Sequence, residues 1–299
     1  MSARTSVAIA LAVVSTTLTN LAYLREHDAA ASLPCLSMRR PVQSLRLLLG
    51  DRTWLTGFLM EGGGFAAFAG AVSLASLAVV QSVGAGGIGV LAFISSRVSG
   101  RRLGRRRLLG VALSMLGLFA LGVSLARGSG EGGRGEVVPI IAWMLCTGAL
   151  AAVVLAVGRG RRGLAAAEGL AGGLLFSIGD LSTKVATEGG TRFLFVITLV
   201  IGYVLGSSLL QLGYQRGGTL TVAGLATLCT NALPIIAGTV LLAEPVPAGV
   251  FGALRVLAFC AVVAGAILLA TPDPGAARDA NICSDDKRGK SVRAVSPGT

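Results

Sequence analysis

The hydrophobic pattern of the chain is dominated by apolar runs too long for helices of a soluble core. The longest, Trp54–Ser96, reads WLTGFLMEGGGFAAFAGAVSLASLAVVQSVGAGGIGVLAFISS and holds a single charge, Glu61. As one helix it would reach about 64 Å, twice the hydrocarbon thickness of a bilayer. It must fold back on itself near Ser73–Ser76, as two membrane-crossing helices joined by a tight turn.

Seven further runs have spanning length: Val7–Leu24, Leu108–Ala126, Val137–Val157, Leu164–Thr187, Phe193–Gly213, Gly217–Ala243 and Ala248–Ala270. A cleaved signal peptide is a poor reading of the first, because only Arg4 precedes it and no A-x-A-like site follows. Residues 25–53 read as a loop in which PVQSLRLLLG lies in the interface as an amphipathic turn. RGSGEGGRGE at 127–136 is a Gly-rich loop, and the polar tail from Thr271 reads as disordered. The expectation is an all-α, polytopic membrane protein of about nine transmembrane helices. Its membrane domain covers 1–270, with halves at about 5–126 and 137–270, and 271–299 forms a disordered cytoplasmic tail.

Composition agrees with that reading: 53% of residues are hydrophobic, 13% are charged, and there are 43 glycines among 299 residues. The small residues let helices approach closely in lipid. A net charge of +12 would suggest nucleic acid in a soluble protein. Here the arginines sit in short loops, and no nucleic-acid partner is expected. With the N-terminus outside and the C-terminus cytoplasmic, the 26 Lys and Arg concentrate on one side. The exceptions are Arg4, Arg127, Arg134 and Arg192 outside, and Lys184 and Arg255 within spans. That distribution follows the positive-inside rule and places the chain in the cell membrane. A single histidine, His27, excludes a His-rich metal site, and the five cysteines lack metal-ligand spacing.

Setting Gln81 against Asn231 aligns VVQSVGAGGIGVLAFIS with LCTNALPIIAGTVLLAE. Five spans separate the two segments, so they run in opposite directions, as in inverted transporter repeats. The segment GYQRGGTLTVAGLATLCTNALPIIAGTVLLAEPVPAG, with Pro234, Glu244 and Pro245, resembles the drug/metabolite transporter superfamily in its EamA-like branch. TWLTGFLMEGGGFAAFAGAVSLASLAVVQSV resembles the matching part of the first half, and GLLFSIGDLSTK the helix opening the core of the second. The nine-helix layout, with a Trp-x-x-Gly start and an intramembrane Glu, is similar to the NIPA-type magnesium transporters. The first half departs from the family pattern, having Ile94-Ser95-Ser96-Arg97 where a Glu-Pro turn would close it. The resemblance implies two inverted repeats around a central binding cavity.

Polar residues within the spans are the candidate chemistry. Gly57, Glu61, Gly64 and Phe68 share one helix face, so Glu61 points into the bundle. An intramembrane carboxylate is paired, protonated or functional. Gly173, Phe176, Asp180 and Lys184 form a second face, where Asp180 and Lys184 stand four residues apart and can neutralise each other. Thr227, Asn231, Pro234 and Gly238 form a third; Pro234 cannot donate to the carbonyl of Thr230, which predicts a kink with free carbonyls. Gln81 is a further polar group. Arg255 can snorkel to the surface, and Glu168 and Glu244 stand near helix ends. Residues 84–89, GAGGIG, satisfy a dinucleotide fingerprint, but no strand precedes them, and close helix packing accounts for the glycines.

The expected function is a secondary transporter moving a small solute by alternating access, with a path lined by Glu61, Gln81, Asp180, Lys184, Asn231 and Pro234. A magnesium or other divalent-cation transporter of the same fold is the alternative, with Glu61 and Asp180 as ligands. A non-transporting membrane scaffold is the reading from another class. No enzyme activity and no cofactor are expected, since neither a nucleophile–base pair nor a metal-ligand set is present. Monomer and homodimer both remain open.

Overall fold

The computed structural model describes residues 3–34, 36, 40–84, 104–126, 133–158, 163–243 and 249–269. Ten α-helices follow one another: α1 Ala3–Ser32, α2 Pro41–Gly50, α3 Arg52–Leu74, α4 Leu77–Gly84, α5 Arg105–Ala126, α6 Val137–Gly158, α7 Leu164–Ala186, α8 Phe195–Tyr214, α9 Thr219–Leu241 and α10 Val250–Leu269. A short 3-10 turn, Gly190–Leu194, leads into α8. Six of these helices are long and apolar enough to cross a bilayer, namely α1, α3, α6, α7, α8 with its leading turn, and α9. The chain is a multi-pass, all-α membrane protein. Of the three other expected spans, the third is described only as far as Gly84. The fourth and ninth correspond to α5 and α10, whose apolar stretches Leu108–Gly117 and Val250–Val262 are shorter.

Local chemistry places the breaks. Asp51 caps α3 by accepting a 2.8 Å hydrogen bond from the Trp54 N–H, which satisfies one of the orphan donors of the first turn. The helix ends at Ala75, whose backbone is extended, within the turn expected at Ser73–Ser76. The carbonyls freed there are satisfied by Lys184, whose Nζ donates to Val72 O at 2.9 Å and Ala75 O at 3.3 Å. A cation at a helix C-terminus also suits the helix dipole.

Residues 25–53 are more helical than the sequence reading expected. α1 continues eight residues past Leu24, to Ser32, and PVQSLRLLLG forms α2 with Pro41 in its first turn. The tail from Thr271, Glu244 with Pro245, the glycines 85–89 and most of the arginine run 97–107 lie outside the described residues, as does the side chain of Arg255.

The helices α7 and α9 form the centre, with 72% and 78% of their apolar stretches buried against 22% for α6 and α8. They cross in parallel at glycines: a Cβ on Gly169 would meet Val222 O at 2.5 Å, and one on Gly173 would meet Ala226 O at 2.5 Å. α1 runs antiparallel to α3, with Gly57 against Ala22 and Glu26, and Gly64 against Ser15 and Thr19. α8 packs antiparallel on α7, and α5 packs antiparallel on α10. α6 and α8 turn Ile141, Leu145, Val153, Ile197, Val200 and Val204 outward, the apolar surface a bilayer would cover.

Polar contacts tie the helix ends at both faces of the bundle. On one face Arg192 is bonded to Glu188 at 2.7 Å, to Gly135 O at 2.7 Å and to Arg134 O. On the other, Gln215 Nε2 donates to Ala30 O at 3.0 Å and Pro34 O at 3.1 Å, Leu36 N donates to Gln215 Oε1, and Arg216 pairs with Glu168.

Candidate functional site

A cavity of about 90 Å³ lies between α1, α3, α4, α7, α8 and α9. Its wall residues sit near the middle of the long helices, as with Tyr203 in α8 and Thr227 and Asn231 in α9. Four residues singled out from the sequence, Glu61, Gln81, Asp180 and Asn231, reach this one cavity from four helices. Lys184 and Pro234 are not among its lining residues.

Asp180 is the most firmly held. Tyr203 Oη donates to its Oδ1 at 2.5 Å and Gln81 Nε2 to its Oδ2 at 2.9 Å. Two neutral donors from α8 and α4 therefore carry the carboxyl that the sequence paired with Lys184, while Lys184 extends to the end of α3. The Tyr203 ring is packed at 5.1 Å against Phe65 and 5.3 Å against Phe176, which fixes its hydroxyl over Asp180. On α9, Asn231 Nδ2 donates to Thr227 O at 2.7 Å. α4 comes so close there that a side chain at Gly84 would collide with Asn231 Oδ1. α9 stays helical through the buried Pro234.

Glu61 is half-buried and lines the cavity, with Glu26 on α1 as its charged neighbour. Glu26 is 1% exposed and accepts from Gln211 Nε2 at 2.6 Å. Gly57 makes this meeting of α1 and α3 possible, since a Cβ there would lie 2.9 Å from Glu26 Cγ.

Tyr203, Thr16 and Asn20 line the cavity and were not found by the sequence reading, and neither was the buried Glu26 outside that lining. Glu26 fell in the segment read as a loop. The signal was present in Thr16, Asn20 and Tyr23, a polar stripe at helical spacing that Glu26 continues by another turn. Tyr203 carried no such pattern, because its hydroxyl is tied to Asp180 by tertiary packing alone.

Electrostatically the cavity is acidic. Its described lining includes Glu61 and Asp180 and no Lys, Arg or His. Among the described residues no group of three or more His, Cys, Asp or Glu side chains is placed to hold a metal ion. Two wall residues also hold buried polar atoms without a partner. Asn20 Nδ2 donates to Thr16 O at 2.7 Å, but its Oδ1 has no donor among the described residues, and Thr227 Oγ1 is likewise unpartnered. A buried acceptor left this way costs about 1–3 kcal/mol.

No protein family model, no curated protein and no solved structure matches this chain.

Proposed function

We propose that the chain is a secondary transporter that carries a small solute across the cell membrane by alternating access, with the mid-depth cavity as its binding site. The observation that carries this reading is the convergence of Glu61, Gln81, Asp180 and Asn231, from four helices, on one cavity at mid-bundle. Polar groups used only as glue between helices would pair locally and have no reason to share a cavity. Inverted halves and a site near the midplane are the usual means of alternating access. The exposed Arg25, Arg46 and Arg52 lie around the helix ends that Gln215 ties together, which supports a cytoplasmic position for that face.

A divalent cation is the second reading, supported by the meeting of Glu26 with Glu61. Magnesium keeps several waters and needs only one or two carboxylates. The test is flux into liposomes containing the purified chain, with magnesium, amino acids and organic cations as solutes. Saturable uptake of an organic cation supports the first reading and uptake of magnesium the second. Absence of flux for every class, with a cooperatively folded protein, refutes both and favours a scaffold.

A further inference from the structure

Four donors of the cavity wall are engaged: Gln81 Nε2 and Tyr203 Oη on Asp180, Asn20 Nδ2 on Thr16 O, and Asn231 Nδ2 on Thr227 O. Two buried wall oxygens have no partner among the described residues. Asn20 is 3% exposed and its Oδ1 has no donor among the described residues, Thr227 is 7% exposed and its Oγ1 is unpartnered, and Glu61 lines the same cavity. An anion or a zwitterionic amino acid would meet two carboxyl groups and no described cation. A quaternary ammonium would satisfy the charge but leave Asn20 Oδ1 without a donor. A fully hydrated metal ion would gain little from the rings of Phe65, Phe68 and Phe176 on the wall.

We propose that the cavity binds a small primary ammonium ion, whose N–H groups reach Asn20 Oδ1, Thr227 Oγ1 and a cavity carboxylate while its short apolar tail packs on the phenylalanine rings. This rests on the transporter reading for its physiological meaning, but the ligand class follows from the acidic lining and the unpartnered Asn20 Oδ1. Three N–H donors on one cation match a wall that supplies acceptors from α1, α9 and α3. The rings add attraction for a cation at their faces.

Two isomeric cations separate charge from hydrogen bonding. n-Butylammonium and tetramethylammonium have the same formula and charge, and only the first has N–H donors. Calorimetric titration of the full chain in lipid nanodiscs is expected to give n-butylammonium an affinity at least about tenfold above its isomer, roughly 1.4 kcal/mol. Asn20→Leu removes the acceptor at similar volume and is expected to bring the two affinities within about twofold of each other. Thr227→Val provides the same test from α9 should the first variant fail to fold. Equal or tighter binding of tetramethylammonium overturns the proposal, as does an isomer preference that survives in the folded variants. Binding of magnesium with no binding of n-butylammonium overturns it too. The transporter reading fails separately: n-butylammonium bound in nanodiscs but not carried into liposomes refutes transport of this ligand and leaves its class standing. Flux of another solute without amine binding does the reverse.

Discussion

Replacing Gly173 by alanine tests how closely α7 and α9 must approach for the cavity to exist. The added Cβ would lie 2.5 Å from Ala226 O, 2.7 Å from Ala226 Cα and 2.9 Å from Cys229 Cβ. Two of those atoms are backbone, so no rotamer change relieves the contact, and the helices must separate by about 1 Å to reach van der Waals distance. Overpacking of this kind costs about 1–3 kcal/mol. The control is Gly62→Ala on α3, where a Cβ meets nothing within 4 Å and the change should stay within about 0.5 kcal/mol. Reversible unfolding in mixed micelles, titrated with a denaturing detergent, measures both. Affinity for n-butylammonium should fall with stability, because separation moves Asp180 on α7 away from Thr227 and Asn231 on α9. Equal stability of the two variants would refute the argument that glycine is required by backbone contact.

Two further predictions concern charge. Glu61→Gln keeps size and hydrogen bonding but removes one of the two ionisable groups of the pair with Glu26. It should insert and fold normally, yet lose transport and the pH dependence of transport together. In the wild type, uptake should rise with external pH, because protons compete with a cation for the carboxyl pair. Tyr23 on the same helix as Glu26, and Tyr203, Gln211 and Tyr214 on α8, are the other groups near it. Initial uptake rate against pH checks this, and an unchanged profile in the variant would leave Glu61 a packing residue. Glu188, in the turn after α7, has its carboxyl pushed above the usual range by desolvation, which outweighs the pull of Arg192 and Lys184. Its protonated form therefore favours the folded state, and this stabilisation is lost as pH rises through the folded pKa. Glu188→Gln, which resembles the protonated form, should melt slightly higher than wild type at about pH 7 and equally at about pH 4. A variant less stable at neutral pH would mean that the ion pair with Arg192 dominates.

The long apolar helices, and several of the faces by which they meet, were legible in the sequence. A run such as Trp54–Ser96 cannot exist as one helix in a bilayer, so its turn was legible, and the break at Ala75 follows. Glycine spacing around Glu61 and Asp180 showed which faces seek another helix, because only small residues permit close approach in lipid. Tertiary structure alone decided the partners. Lys184 stands one turn from Asp180 in sequence, yet the free carbonyls at the end of α3 hold it, and Tyr203 and Gln81 hold Asp180. Glu26 was hidden because hydropathy sees a charged residue after an apolar run as the start of a loop. In the fold, Glu61 and Gln211 provide the polar surroundings that keep the helix continuous through it. Which polar atoms remain without a partner, such as Asn20 Oδ1, depends on distances between helices that no spacing along one chain encodes.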